Sequence, residues 1–212
     1  MKQLVIAILA VSAITFAACS SGSSNQSAEK KDTMNSDQMA AMDKSSDAVD
    51  AAVNAPVIKA SFTNVSADVT SHIKEVVSHY YHIKHALVSN DAAEAKNGAT
   101  MMLQVISQFD NSALPADQKS AYNMHITAIK KHADAIVKST DVDAERMHFS
   151  ELSTHMYELV KAFGTGEKIY YDHCPMALNS KGASWLSESA EIHNPYFSTE
   201  MNSCAKVEQV IQ

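Results

Sequence analysis

Two of the three cysteines in this chain, Cys174 and Cys204, stand among other soft or borderline donor side chains. His173 precedes Cys174, Met176 follows two positions later, and Met201 lies three positions before Cys204. Thiolate, thioether and imidazole together suit Cu(I), with Zn(II) the next candidate for a thiolate–imidazole set. The same stretch, Tyr170 to Cys204, holds the only Trp, two of the ten His and two of the four Pro. Elsewhere the chain carries no Gly-rich phosphate loop and no nucleophile elbow. The chemistry on offer is ligand capture, and the expectation is a non-enzymatic protein with His173, Cys174, Met176, Met201 and Cys204 as metal ligands.

A second reading uses the same two cysteines. Paired as a disulfide they close a loop of about thirty residues, worth about 3–4 kcal/mol of chain entropy. As thiolates beside an imidazole they remain reactive toward a soft metal. There is no Cys-x-x-Cys, so spacing alone leaves both open and leans to the disulfide. Either way, a scaffold must bring the two ends of a long segment together.

Histidines mark the rest of the chain. His72 and His79, His125 and His132, and His148 and His155 are each seven positions apart, two helical turns, so each pair lies along one helix face. His79 and His82, three apart, sit on adjacent turns. A haem or di-metal bundle is the third reading. A di-iron bundle requires Glu-x-x-His on two helices with further Glu residues, and that pair of motifs is not supplied. Covalent haem attachment requires Cys-x-x-Cys-His, also missing. Histidines at the boundary of a core, with one nitrogen bonded and one wet, are the commoner explanation. His148 and His155 share a face with Leu152 and Leu159 and are expected to be the most buried.

The elements that position these residues follow from periodicity. Val69, Ile73, Val76, Tyr80, Ile83 and Leu87 recur at spacings of three and four, predicting a helix over 66–88. Asp91 with Glu94 forms a capping-box pattern opening a second helix to about Phe109. Pro115 fits the first turn of a third helix, which runs to about Val137. A fourth begins near Thr140 or Asp141 and stops at Gly164, a helix-terminating glycine. Short connections make neighbours antiparallel. The expected fold is all-α: an up-down four-helix bundle followed by an irregular Cys/Met/His-containing segment over 167–212. Within that segment Ile169-Tyr170-Tyr171 reads as a short extended piece, and Ala205 to Ile211 as strand or helix.

The N-terminus reads as an address. Lys2 and the apolar run after it form a signal peptide over 1–19, too short to be a stable span. Phe16-Ala17-Ala18-Cys19 resembles a bacterial lipobox, with Cys19 the acylated residue and the Ser/Gly run after it the tether. Residues 20–56 have the composition of a disordered tether, along which Met34, Met39 and Met42 are loose thioethers. That leaves 57–212 as one domain. The net charge of −7, with Lys and Arg dispersed, excludes a basic stripe for nucleic acid. The expected location is the bacterial envelope, attached through lipid on the periplasmic or outer-surface side; the oligomeric state is left open.

The order HCPMA, GASWLS, EIHNPYF and M-x-x-C resembles an uncharacterised domain family of small envelope lipoproteins. The same domain is appended to periplasmic adaptor subunits of heavy-metal (copper/silver) RND efflux pumps. His85-Ala86-Leu87-Val88 and Arg146-x-x-Phe149-x-x-Leu152-Ser153 extend the resemblance over about residues 60–212. It implies donors at Cys174, Met176, Met201 and Cys204, with structural roles for Trp185, Asn194, Pro195 and Tyr196. It also implies Cu(I) as the cargo and an RND-type efflux adaptor as partner. Ser198 and Ala205 stand where the family pattern has glycine, so those turns are made without it.

Overall fold

The computed structural model describes residues 54–197 and 204–212, all within the unit Asn35–Gln212. The signal peptide, Cys19, the tether Met residues and Met201 lie outside the described residues.

Four long helices form where the apolar periodicity places them: α1 (Ala67–Val88), α2 (Ala92–Gln108), α3 (Ala116–Lys138) and α4 (Val142–Phe163). Side chains satisfy the first-turn N–H groups that a helix leaves open. Asp91 Oδ1 accepts from Glu94 N at 3.0 Å, and Asp141 Oδ1 accepts from Ala144 N at 2.9 Å. The Glu94 carboxylate does not return to Asp91 but takes His82 Nε2 at 2.5 Å. Pro115 is the N-cap of α3, one position earlier than its expected place inside the first turn. Gly164 ends α4 with φ of 68°, a conformation open to glycine at little cost.

Sequence neighbours pack together, and α1 also meets α4 to close the bundle. Tyr80 of α1 stacks on Phe149 of α4 at 4.9 Å and shares a 2.7 Å hydrogen bond with Ser153. Arg146 of α4 reaches Leu87 O and Asn90 Oδ1 beyond the other end of α1, so the two helices run antiparallel. Val76, Ile83, Ile129 and Leu152 are fully buried between the helices. Gly98 lets α2 approach α1 closely, since a Cβ there would stand 3.1 Å from Ile83.

The fold is not purely all-α. The segment expected to be irregular forms most of a four-stranded mixed sheet, order β1-β4-β2-β3. Its strands are β1 (Val57–Ile58), β2 (Ile169–Cys174), β3 (Ala183–Ser187) and β4 (Lys206–Ile211). β4 and β2 are the inner strands; β2 is antiparallel to both its neighbours, while β1 adds to β4 in parallel. The β2–β4 register shifts between Tyr171 and Asp172, whose partners are Gln209 and Val207, so Glu208 is an extra residue that bulges β4; on β2, polar Asp172 points into the core. The extended piece expected at Ile169-Tyr170-Tyr171 is the start of β2, and the stretch after Ala205, open to strand or helix, is β4; inward Asp172 masks the rest of β2. Pairing of β1 with β4 joins residues about 150 apart, which no local pattern announces. The sheet lies against α4 through β3.

Candidate functional site

β2 ends on Cys174, and β4 is preceded by Cys204; because β2 and β4 are neighbours, the sheet itself brings the two cysteines together. They are joined as a disulfide, Cα–Cα 5.8 Å, across a sequence separation of 30. Cys174 is buried and Cys204 half-buried. Above the pair stands Asn194, fully buried, whose Nδ2 donates to Cys204 Sγ at 3.3 Å while its Oδ1 accepts from Tyr196 N at 3.0 Å. Tyr196 in turn donates its hydroxyl to Ser184 O at 2.9 Å and packs edge-on against Trp185. Trp185 is fully buried, a core anchor under the segment.

The other expected ligands separate. Neighbouring strand positions face opposite sides of a sheet, so His173 sits on the face away from Cys174. Its Nδ1 lies 2.9 Å from Ser184 Oγ, and its ring lies over Gly182, where a Cβ would stand 3.1 Å from His173 Cε1. Met176 is half exposed beside the first cysteine, and the single turn that follows it, α5 (Ala177–Ser180), has positive φ at Leu178, Asn179 and Ser180. That is a left-handed turn of three non-glycine residues, an uncommon conformation. Among the described residues the structure therefore brings the two cysteine sulfurs together, Met176 follows two positions after Cys174 with its side chain half exposed, and His173 faces away from the pair.

Among the histidines, His148 and His155 are not the buried ones; both are half-buried at the α3–α4 face. The buried ring is His72, stacked on Phe109 at 3.9 Å with Nε2 2.8 Å from the Tyr122 hydroxyl. Burial lowers its pKa to about 4, so it is neutral at pH 7. The single Glu-x-x-His of the chain, Glu145 to His148, has its carboxylate buried toward Lys96 of α2 at 3.8 Å, not toward an imidazole cluster.

A second polar cluster was missed by sequence reasoning. Lys84 of α1 is fully buried, donating to Ser187 Oγ at 3.1 Å and Glu188 Oε2 at 2.5 Å. His85 Nε2 reaches the other Glu188 oxygen at 2.7 Å. Burial would raise Glu188, but the hydrogen bonds from His85 and Lys84 bring its pKa down to about 2. Asp172 lies fully buried nearby with neither carboxyl oxygen hydrogen-bonded, and burial raises its pKa to about 8. Lys84 gives its hydrogen bonds to Ser187 and Glu188 and only partly offsets the burial of Asp172, which stays protonated at neutral pH. Tyr81, whose ring centroid lies 5.2 Å from Lys84 Nζ, and Glu188 line a cleft of about 410 Å³ together with Lys74 and Lys168. The readable signal was Lys84 itself, a cation on the apolar stripe of α1 between Ile83 and Leu87. The cluster ties α1 to β3, and no nucleophile–base pair stands in it.

Residues 76–168 match the sequence model of a family described as a protein of unknown function (DUF3347). The matched stretch spans most of α1 through α4 and stops just before β2, short of both cysteines. No curated protein and no solved structure matches the chain. Among the described residues no helix is long and apolar enough to cross a membrane.

Proposed function

We propose that this chain is a non-enzymatic, lipid-anchored envelope protein that binds Cu(I) through the reduced Cys174–Cys204 pair. Its role is then metal tolerance, or hand-over to an RND-type efflux adaptor, with Cys19 as the lipid attachment. The observation that carries this reading is the convergence of two cysteines thirty positions apart onto neighbouring strands, Cα–Cα 5.8 Å; Met176, two positions along the chain from Cys174, is half exposed. Two thiolates and a thioether suit a soft monovalent cation. The Asn194 amide donates toward Cys204 Sγ, a contact that stabilises a thiolate more than a neutral disulfide sulfur. Met201 is the remaining proposed donor, while His173, on the other face of β2, stands outside the set. A disulfide has no thiolate to offer, so metal capture requires the two-electron reduced form.

A second reading rests on the disulfide itself and the full burial of Cys174: a stapled helical interaction module without its own metal. Titrating the reduced protein with Cu(I) against a competing chelator separates the two. The first reading expects one Cu(I) per chain, abolished by Cys174→Ser/Cys204→Ser with helix content kept, because the bundle has its own core. The second expects no metal uptake and a stability loss of about 3–4 kcal/mol on reduction. A free-thiol count on protein isolated from the envelope shows which form prevails there.

A further inference from the structure

The α3–α4 face carries a ladder of four imidazoles that the sulfur site does not use. The helices run antiparallel, which sets His125 opposite His155 and His132 opposite His148. Ring centroids are 5.8 Å apart in each of these pairs, and His132 lies 6.5 Å from His155, nearly parallel to it. All four residues are half-buried. The closest approach is between His125 Nδ1 and His155 Nδ1, at 3.5 Å. Two ring nitrogens bound to one ion at about 2.0–2.1 Å, at a tetrahedral angle, stand about 3.3–3.4 Å apart. The pair is within a few tenths of an ångström of that spacing.

A carboxylate stands beside the pair. Glu158 follows His155 by three positions on α4, one turn along the same face, and its charge acts on His125. It is half exposed and paired with Lys161 Nζ at 2.8 Å, a surface contact of small net worth. Among the described residues no three His, Cys, Asp or Glu side chains already surround one ion position; a third ligand from Glu158 requires it to rotate off Lys161. The pattern repeats one heptad toward the start of α4, where Glu151 follows His148 and acts on His132, whose Nδ1 is buried without a partner. We infer that the α3–α4 face binds a borderline divalent transition-metal ion, of the Zn(II), Cu(II) or Ni(II) class, between His125 and His155 with Glu158 as the third ligand. Imidazole with carboxylate selects that class, as sulfur selects Cu(I), so this site is independent of the cysteines.

The test uses the full chain with Cys174 and Cys204 oxidised, so that thiols contribute nothing. Zn(II) is titrated by calorimetry, and Cu(II) is followed by electron paramagnetic resonance for nitrogen coupling. Wild type is expected to bind one Zn(II) saturably, and His125→Gln or His155→Gln to weaken it by at least about tenfold. Glu158→Gln, a partly exposed change with little consequence for folding, should weaken it as well. Cys174→Ser/Cys204→Ser should leave the affinity unchanged, whatever becomes of Cu(I) binding. In wild-type protein, Zn(II) should shift the ¹⁵N resonances of the His125 and His155 rings ahead of those of His173 and His193. Absence of saturable binding, or equal binding by wild type and folded His125→Gln, overturns the inference; if the histidine variants fail to fold, the ring resonances and Glu158→Gln decide it.

Discussion

Replacing Asp172 by Asn isolates the cost of a buried carboxyl group. Asp172 lies fully buried with neither oxygen hydrogen-bonded, and burial, partly offset by Lys84 and reinforced by Glu188, raises its pKa from 3.8 to about 8. In the unfolded chain the group ionises near pH 4; in the folded chain it keeps its proton up to about pH 8. Between those values the folded state holds one more proton than the unfolded state, so stability falls as pH rises. The loss is about 1.4 kcal/mol per pH unit, or about 2–3 kcal/mol between pH 5 and pH 7. Asn keeps the shape of the protonated carboxyl and does not titrate. Any packing penalty it introduces is independent of pH. Urea unfolding of wild type and Asp172→Asn at pH 5, 6 and 7 gives the double difference, in which titrations common to both proteins cancel. The variant should gain about 2–3 kcal/mol relative to wild type across this interval, whatever its offset at pH 5. Parallel stability curves for the two proteins would refute the reasoning, because they would mean that Asp172 titrates alike in the folded and unfolded chain.

Two further outcomes follow from packing and attachment. Leu152 is fully buried between the helices, so Leu152→Ala should cost about 2–5 kcal/mol in chemical unfolding; a loss under about 0.5 kcal/mol would place it at the surface. If Cys19 is acylated, Cys19→Ser should move the protein from the detergent-extracted membrane fraction into soluble envelope extract, and unchanged membrane association would reject the lipid anchor.

The four helices were legible because their signals are local. Ser66, Asp91, Asp141 and Gly164 terminate helices through contacts within a few residues, and the apolar stripe of α1 repeats at the helix period. Cys174 and Cys204 were legible as a pair by donor chemistry. Their shared partners were not, because β2 carries an inward Asp172, and β4 is bulged at Glu208 and finds its neighbours far away in sequence. Strand alternation then decided what proximity in sequence could not: His173 is adjacent to Cys174 in the chain yet on the opposite face of the sheet. The histidine heptads tell a similar story. Sequence gives the seven-residue spacing within α3 and within α4, whereas the 3.5 Å approach of His125 to His155 exists only once the helices have a register. Lys84 shows the remaining limit, since a buried cation is readable as a breach of the apolar stripe, but Ser187 and Glu188, which satisfy it, lie about a hundred residues away. Periodicity, caps and donor types belong to the chain by itself, because they act within one or two turns. The sheet order, the face each side chain takes and the charge state of Asp172 depend on burial between distant segments, and the tertiary structure alone decided them.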